Sequence, residues 1–219
     1  MSAIQNIFQQ SLSIFPVTIK PENYFQNNTE PATMRTRVLY GTGLLLILTT
    51  LCVFLSALLN AEELHQIQIN FLQRMGVELK YLPEPGIPFS SLIFGLYWLI
   101  LVIILGTFRY GMIKLLGEPM KPVALPFLIT LHSVIPLIIA GASITIFNNL
   151  FPPEVPGETT DASFRLIVTT AVSLIGFCWE GIIATKGFRF HYQQYTGRAI
   201  LTTLAPWLMI GITLLVIAR

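Results

Sequence analysis

The sequence predicts an all-α fold, a polytopic membrane helical bundle of five transmembrane helices. Three observations carry that expectation. Only 11% of the 219 residues are charged and 53% are apolar, whereas a soluble domain carries roughly a quarter charged residues. The mean hydropathy is correspondingly high, at +0.69. Lys and Arg collect on alternate sides of five long apolar stretches.

A helix rises about 1.5 Å per residue and needs roughly 20 apolar residues to cross about 30 Å of hydrocarbon. Residues 38–59 and 87–108 are uncharged throughout. Residues 122–147 hold one histidine, and 166–185 hold one acid, Glu180. Residues 199–218 are again uncharged. Hydrocarbon cannot hydrogen-bond an open backbone, so these stretches are expected as helices. A barrel would need alternating polarity, which they lack. Two regions follow: a cytoplasmic N-terminal segment over 1–36 and a five-helix transmembrane domain over 37–219.

Charge placement sets the expected orientation. Lys20, Arg35 and Arg37 precede the first span. Arg109, Lys114 and Lys121 follow the second, and Lys186, Arg189 and Arg198 follow the fourth. Nine of the thirteen basic residues thus share one side. By the positive-inside rule the N-terminus is cytoplasmic and the C-terminus outside. The start, MSAIQNIFQQ, lacks a basic n-region and a continuous apolar core. The first span is therefore expected to direct insertion itself.

Outside the spans, Ile4, Ile7, Phe8, Leu12 and Phe15 recur at helical spacing. They predict a short amphipathic helix at the cytoplasmic surface. Its polar face lacks the basic residues of a lipid-sensing helix. The stretch from Pro16 to Pro31 reads as irregular, with Tyr24 and Phe25 as interfacial anchors. Leu64, Ile67, Phe71 and Met75 form a second stripe, stopped by Gly76. Asp161 is expected to cap span four.

The residues that could carry chemistry are few. Glu180 is the strongest candidate, because a carboxylate within a span is costly and faces a bundle interior or water. Its helical neighbours Thr169, Ser173, Gly176 and Ala184 suit close helix contact. Glu180 is expected in a polar network, paired with Arg109, Lys186 or Arg198. The other readings are a proton, ion or substrate site and a partner contact. In a structural network glutamine should be tolerated at 180, since an amide keeps much of the hydrogen bonding. Arg109 reads either as a snorkelling anchor or as the counter-charge. His132 is a further candidate for that network. It stands four residues before Pro136, which cannot donate to its carbonyl, and a kink with a locally satisfied imidazole is expected there. Pro126, Pro136 and Pro206 are expected to bend their helices.

No HExxH, GxSxG, P-loop or paired-carboxylate motif occurs. Cys52 and Cys178 both fall in apolar runs, with no CxxC pair. No catalytic, metal or cofactor site is expected, and no nucleic-acid partner. No internal repeat supports an inverted-repeat transporter.

Three segments together resemble the Yip1-domain family. Lys20-Pro21-Glu22-Asn23-Tyr24-Phe25 is similar to its entry into span one. Ser133-Val134-Ile135-Pro136 resembles its mid-membrane proline motif. Lys186-Gly187-Phe188, followed by Tyr195-Thr196-Gly197-Arg198-Ala199-Ile200, is similar to the approach to span five in prokaryotic members. The resemblance implies a five-span bundle with the N-terminus inside, and little chemistry. Eukaryotic relatives bind Rab GTPases and act in traffic between endoplasmic reticulum and Golgi. Their long cytosolic N-terminal region and D-L-Y-G-P motif have no counterpart here, which favours the prokaryotic branch. The bacterial inner membrane is then the expected location, with endoplasmic reticulum or Golgi as the alternative. The expected function is non-enzymatic: a scaffold, membrane-organising factor or accessory subunit. Its expected partners are the lipid bilayer and a membrane protein or further copies of itself. The alternative is a small oligomeric transporter or channel subunit using Glu180.

Overall fold

A computed structural model describes residues 5, 9, 12, 15–27, 30–74, 92–119, 121–152 and 159–217. Those residues form helices and connections, with no strand among them. The predicted amphipathic helix over 4–15, with Met75 and Gly76, falls largely outside them.

In chain order the helices are α1 (Phe15–Ile19), α2 (Pro21–Asn27), α3 (Pro31–Leu59), α4 (Ala61–Arg74) and α5 (Ile93–Leu115). They continue with α6 (Ala124–Ser133), α7 (Ile135–Leu150), α8 (Thr159–Tyr192) and α9 (Thr196–Ile217). Three of them, α3, α5 and α8, are long and apolar enough to cross a membrane. The pair α6 and α7 makes a fourth if it counts as one span, bent by 41°. Apolar side chains along these helices stay exposed, Ile47, Ile103 and Leu166 among them. Lipid is the solvent that suits such a surface. The chain is therefore a multi-pass integral membrane protein.

The bend has the predicted cause at one proline and not at the others. Pro136 lies in the first turn of α7, just past the break at Val134. It offers no N–H to the His132 carbonyl, so the α6 ladder stops there. Pro126, expected as a kink, instead occupies the first turn of α6, where an N–H would have no intrahelical partner anyway. Hydropathy hid that start because Val123 and Ala124 continue the apolar run. Helix α9 runs through Pro206 without interruption. Helix α8 already includes Asp161, which puts that residue inside the first turn and not at the cap.

The chain divides into two compact units, whose limits fall within helices. The first comprises residues 1–45, 99–137 and 176–219. Helix α6 is its centre: every residue from Leu128 to Ser133 is buried. A helix buried all round needs apolar side chains on every face, or polar ones that find partners.

The second unit comprises 46–98 and 138–175. Trp98 packs against Gly141, where an added Cβ would stand 2.8 Å from the indole. A polar clasp closes this unit. Asn149 Nδ2 donates to Ser56 Oγ at 2.9 Å, and Asn60 Nδ2 donates to the Asn149 carbonyl at 2.7 Å. Asn149→Ala deletes the first of these bonds and keeps the second. Its expected cost is about 1 kcal/mol, read as a drop of a few degrees in the detergent melting temperature. An unchanged melting temperature would make the Asn149 side chain dispensable.

Candidate functional site

Glu180 and Arg109 are both fully buried in the first unit and form an ion pair. Arg109 reaches in from α5, six residues before that helix ends. The snorkelling reading of Arg109 therefore fails, since its guanidinium points into protein and not to headgroups. Glu180 sits on the face of α8 that also buries Gly176 and Ala184. Small neighbours let the other helices approach closely enough to reach the carboxylate.

Each end of the pair is further satisfied. Arg109 Nη1 donates to Ser133 Oγ at 3.0 Å and to Thr130 Oγ1 at 3.4 Å. Ser133 Oγ lies 2.9 Å from both Glu180 Oε1 and the Thr130 carbonyl. A hydroxyl has one proton, and the carboxylate is the stronger acceptor, so Ser133 accepts from Arg109 and donates to Glu180. Thr130 in turn donates to the Pro126 carbonyl at 2.7 Å. On the far side of the carboxylate, Trp207 Nε1 donates to Oε2 at 3.2 Å. Four helices, α5, α6, α8 and α9, thus converge on one carboxylate. The pair alone is weak grounds for stability, because desolvating two charges offsets most of their attraction. The added bonds from Ser133 and Trp207 are what make the burial tolerable.

Among the described residues Lys186, Arg198 and His132, expected in the same network, make no hydrogen bond to the Arg109–Glu180 pair. Lys186 pairs with Glu22 of α2 at 3.0 Å, and Arg198 pairs with Glu118 at 3.2 Å. Both pairs are partly exposed, so each contributes at most about 1 kcal/mol. Sequence reading does not single out Thr130 or Trp207, and it reaches Ser133 only as part of the proline motif. Two hydroxyls three residues apart on an otherwise apolar helix were the available signal.

A second cluster adjoins the first through α6 and α8. The segment read as irregular, with anchors at the interface, is instead two short helices packed into protein. Phe25 is fully buried and Tyr24 nearly so. Both rings meet the His132 ring edge-on, at centroid distances of 6.0 and 4.8 Å. Phe25 also meets His191 at 5.6 Å. The Leu128 carbonyl, one turn earlier, approaches the His132 ring. Burial pushes the Tyr24 phenol above its ordinary range, with the Arg37 charge opposing weakly.

Gly187 makes this docking possible. A Cβ there would lie 2.7 Å from Ile129 Cγ2 and 3.0 Å from Phe25 Cζ. The glycine thus lets the Phe25 ring lie against α8. Next to it, the Phe188 ring faces the Arg109 guanidinium at 5.9 Å. The aromatic dipeptide of α2 and the Lys-Gly-Phe of α8, two of the segments noted in the sequence, are therefore halves of one contact. The third, Ser133 to Pro136, supplies the hydroxyl on Glu180 and the break after α6.

The Yip1 domain, as a family profile, matches residues 17–218. The chain belongs to the Yip1 family. Every residue of the ion-pair network and of the aromatic docking lies inside the matched region of this Yip1 domain. No curated protein and no solved structure matches the chain.

Proposed function

We propose that this Yip1-family protein acts without catalysis, as a scaffold, membrane-organising factor or accessory subunit working through membrane-protein partners or further copies of itself. The observation that carries this reading is how the buried charges are used. Arg109 and Glu180 are bonded to each other and to Ser133, Thr130 and Trp207. A carboxylate held this way fastens helices together and is poorly placed to hand protons along a path. That weighs against the rival reading, a small oligomeric transporter or channel subunit built on Glu180. Cross-linking in native membranes followed by purification in mild detergent tests the proposal. Repeated recovery of a lone, uncross-linked chain would overturn it. A Glu180-dependent ion or proton flux in reconstituted vesicles would establish the rival.

The proposed topology has five spans, with the N-terminus cytoplasmic and the C-terminus outside, in a bacterial inner membrane. Helix α9 supports the fifth span, because its uncharged run after Arg198 extends about 28 Å at helical rise. The basic asymmetry supports the orientation. Cysteines at Asn28, Leu116 and Tyr195, in a background lacking Cys52 and Cys178, should be labelled only from the cytoplasm. Cysteines at Glu78 and Gly157 should be labelled only from outside. External labelling at 195 would remove the five-span topology.

A further inference from the structure

Where the apolar run of α8 ends, one face of the helix changes character within two turns. Trp179, Ile182, Lys186 and Arg189 recur three and four residues apart, so they share that face, and Gln193 follows just past the helix end. Trp179 and Ile182 are 44% and 52% exposed. Lys186 and Arg189 follow, roughly 10 and 15 Å further along the helix axis than Trp179. Beyond Ile182 the face borders an open cleft of about 480 Å³, lined by Glu22, Gln26, Lys186, Arg189, Phe190, Gln193 and Gln194. Helix α2 forms the opposite wall. It is held there by the Lys186–Glu22 pair, and the preceding helix α1 is held by the Trp179 indole, which donates to the Thr18 carbonyl at 2.7 Å.

The cleft is chemically lopsided. It offers an ammonium, a guanidinium and the side-chain amides of Gln26 and Gln193, against one carboxylate. Arg189 makes no ion pair among the described residues. Gln194 is already engaged with Thr202, at 3.4 Å. Gln193 holds a φ of 53°, an uncommon left-handed conformation for a residue with a side chain. That turn ends α8 and keeps Gln193 at the cleft. The carboxylate of Glu22 is 63% exposed and its pair with Lys186 is weak, so an incoming anion displaces it at little cost.

We propose that this cleft seats the phosphoryl headgroup of an anionic phospholipid, whose acyl chains lie along Trp179 and Ile182. A phosphodiester fits Lys186 and Arg189 as a charge-assisted hydrogen-bond acceptor. A soluble phosphate ester would offer the same group but would leave the apolar half of the face without a partner. Basic pockets between membrane helices are established lipid-headgroup sites in other proteins. This inference goes beyond the scaffold reading and does not depend on it.

The test titrates the full-length protein, in neutral detergent, with short-chain phosphatidylglycerol and follows its melting temperature. Parallel titrations use short-chain phosphatidylcholine and inorganic phosphate. Phosphatidylglycerol should raise the melting temperature, and the other two should leave it unchanged. Lys186→Gln with Arg189→Gln should weaken the apparent affinity by on the order of tenfold or more. Glu22→Gln removes the competing carboxylate and should tighten it about two- to threefold. Lys20→Gln with Arg35→Gln removes equal charge outside the cleft and should change nothing. Arg189→Gln alone keeps the test open if the double variant folds poorly, and it should weaken binding several-fold. Unchanged affinity in the Lys186 and Arg189 variants, or an equal loss in the Lys20 and Arg35 control, would overturn the site. An equal response to phosphatidylcholine would overturn the anionic headgroup. An equal response to inorganic phosphate would replace the lipid with a soluble phosphate.

Discussion

Replacing Glu180 with leucine should cost about 3–5 kcal/mol, because it leaves the Arg109 guanidinium buried without a counter-charge. Arg109→Met should cost a similar amount by leaving the carboxylate alone. Against a total stability of about 5–15 kcal/mol, either change threatens accumulation of folded protein. The two changes together should restore much of the loss, since both desolvation penalties leave with the charges. Melting in mild detergent, followed by size-exclusion fluorescence, reads all three variants in one cycle. A double variant as unstable as the sum of the singles would mean that the two groups do not act as a pair. Glu180→Gln is expected to fall nearer to leucine than to the native residue. The amide retains an acceptor for Trp207 and Ser133 but leaves a full positive charge facing a neutral group. A fully buried guanidinium partner weighs against the expectation that glutamine is tolerated at 180.

Phe25→Ala should release the N-terminal helices. The ring is fully buried between Gly187, His132 and His191. Truncating such a ring costs about 3–5 kcal/mol. The two helices also bury Val17, Pro21 and Tyr24, but Phe25 is their largest fully enclosed side chain, so the loss should appear as local undocking. Limited proteolysis of the purified protein, followed from an N-terminal tag, should show faster cleavage before Pro31 while the rest of the chain resists. Gly187→Val should produce the same pattern from the other side, by filling the space the ring occupies. Combining the two should add little, because a segment undocks once. Equal protease resistance in Phe25→Ala would show that the ring does not hold the segment.

Much of this arrangement was legible in the sequence. Helices α3, α5 and α8 and the bent pair α6–α7 fall on four of the apolar stretches, and the break after α6 follows from Pro136 lacking a donor. The inward face of Glu180 follows from Gly176 and Ala184 at helical spacing. What could not be read was pairing. Arg109, Lys186 and Arg198 all fall near one end of their spans, and sequence spacing within one helix does not rank residues on different helices. Burial separates them: Arg109 is fully enclosed, whereas Lys186 and Arg198 stay partly exposed and pair with Glu22 and Glu118. Tyr24 and Phe25 posed a similar ambiguity. An aromatic pair next to a span suits a headgroup layer and a protein pocket equally well. Only Gly187, more than 160 positions later, distinguishes the two.

That separation bears on how the chain is made. Thr18 and Trp179, joined by a hydrogen bond, are 161 residues apart. At about 5–20 residues per second, roughly 8–30 seconds of synthesis separate them. For much of that interval Phe25 and Tyr24 are already made, while the α8 half of their docking surface is not. The first helices to be made are thus among the last to settle. A waiting aromatic segment of this kind is a natural foothold for an insertase or chaperone, and its burial marks the moment when the newborn chain no longer needs one.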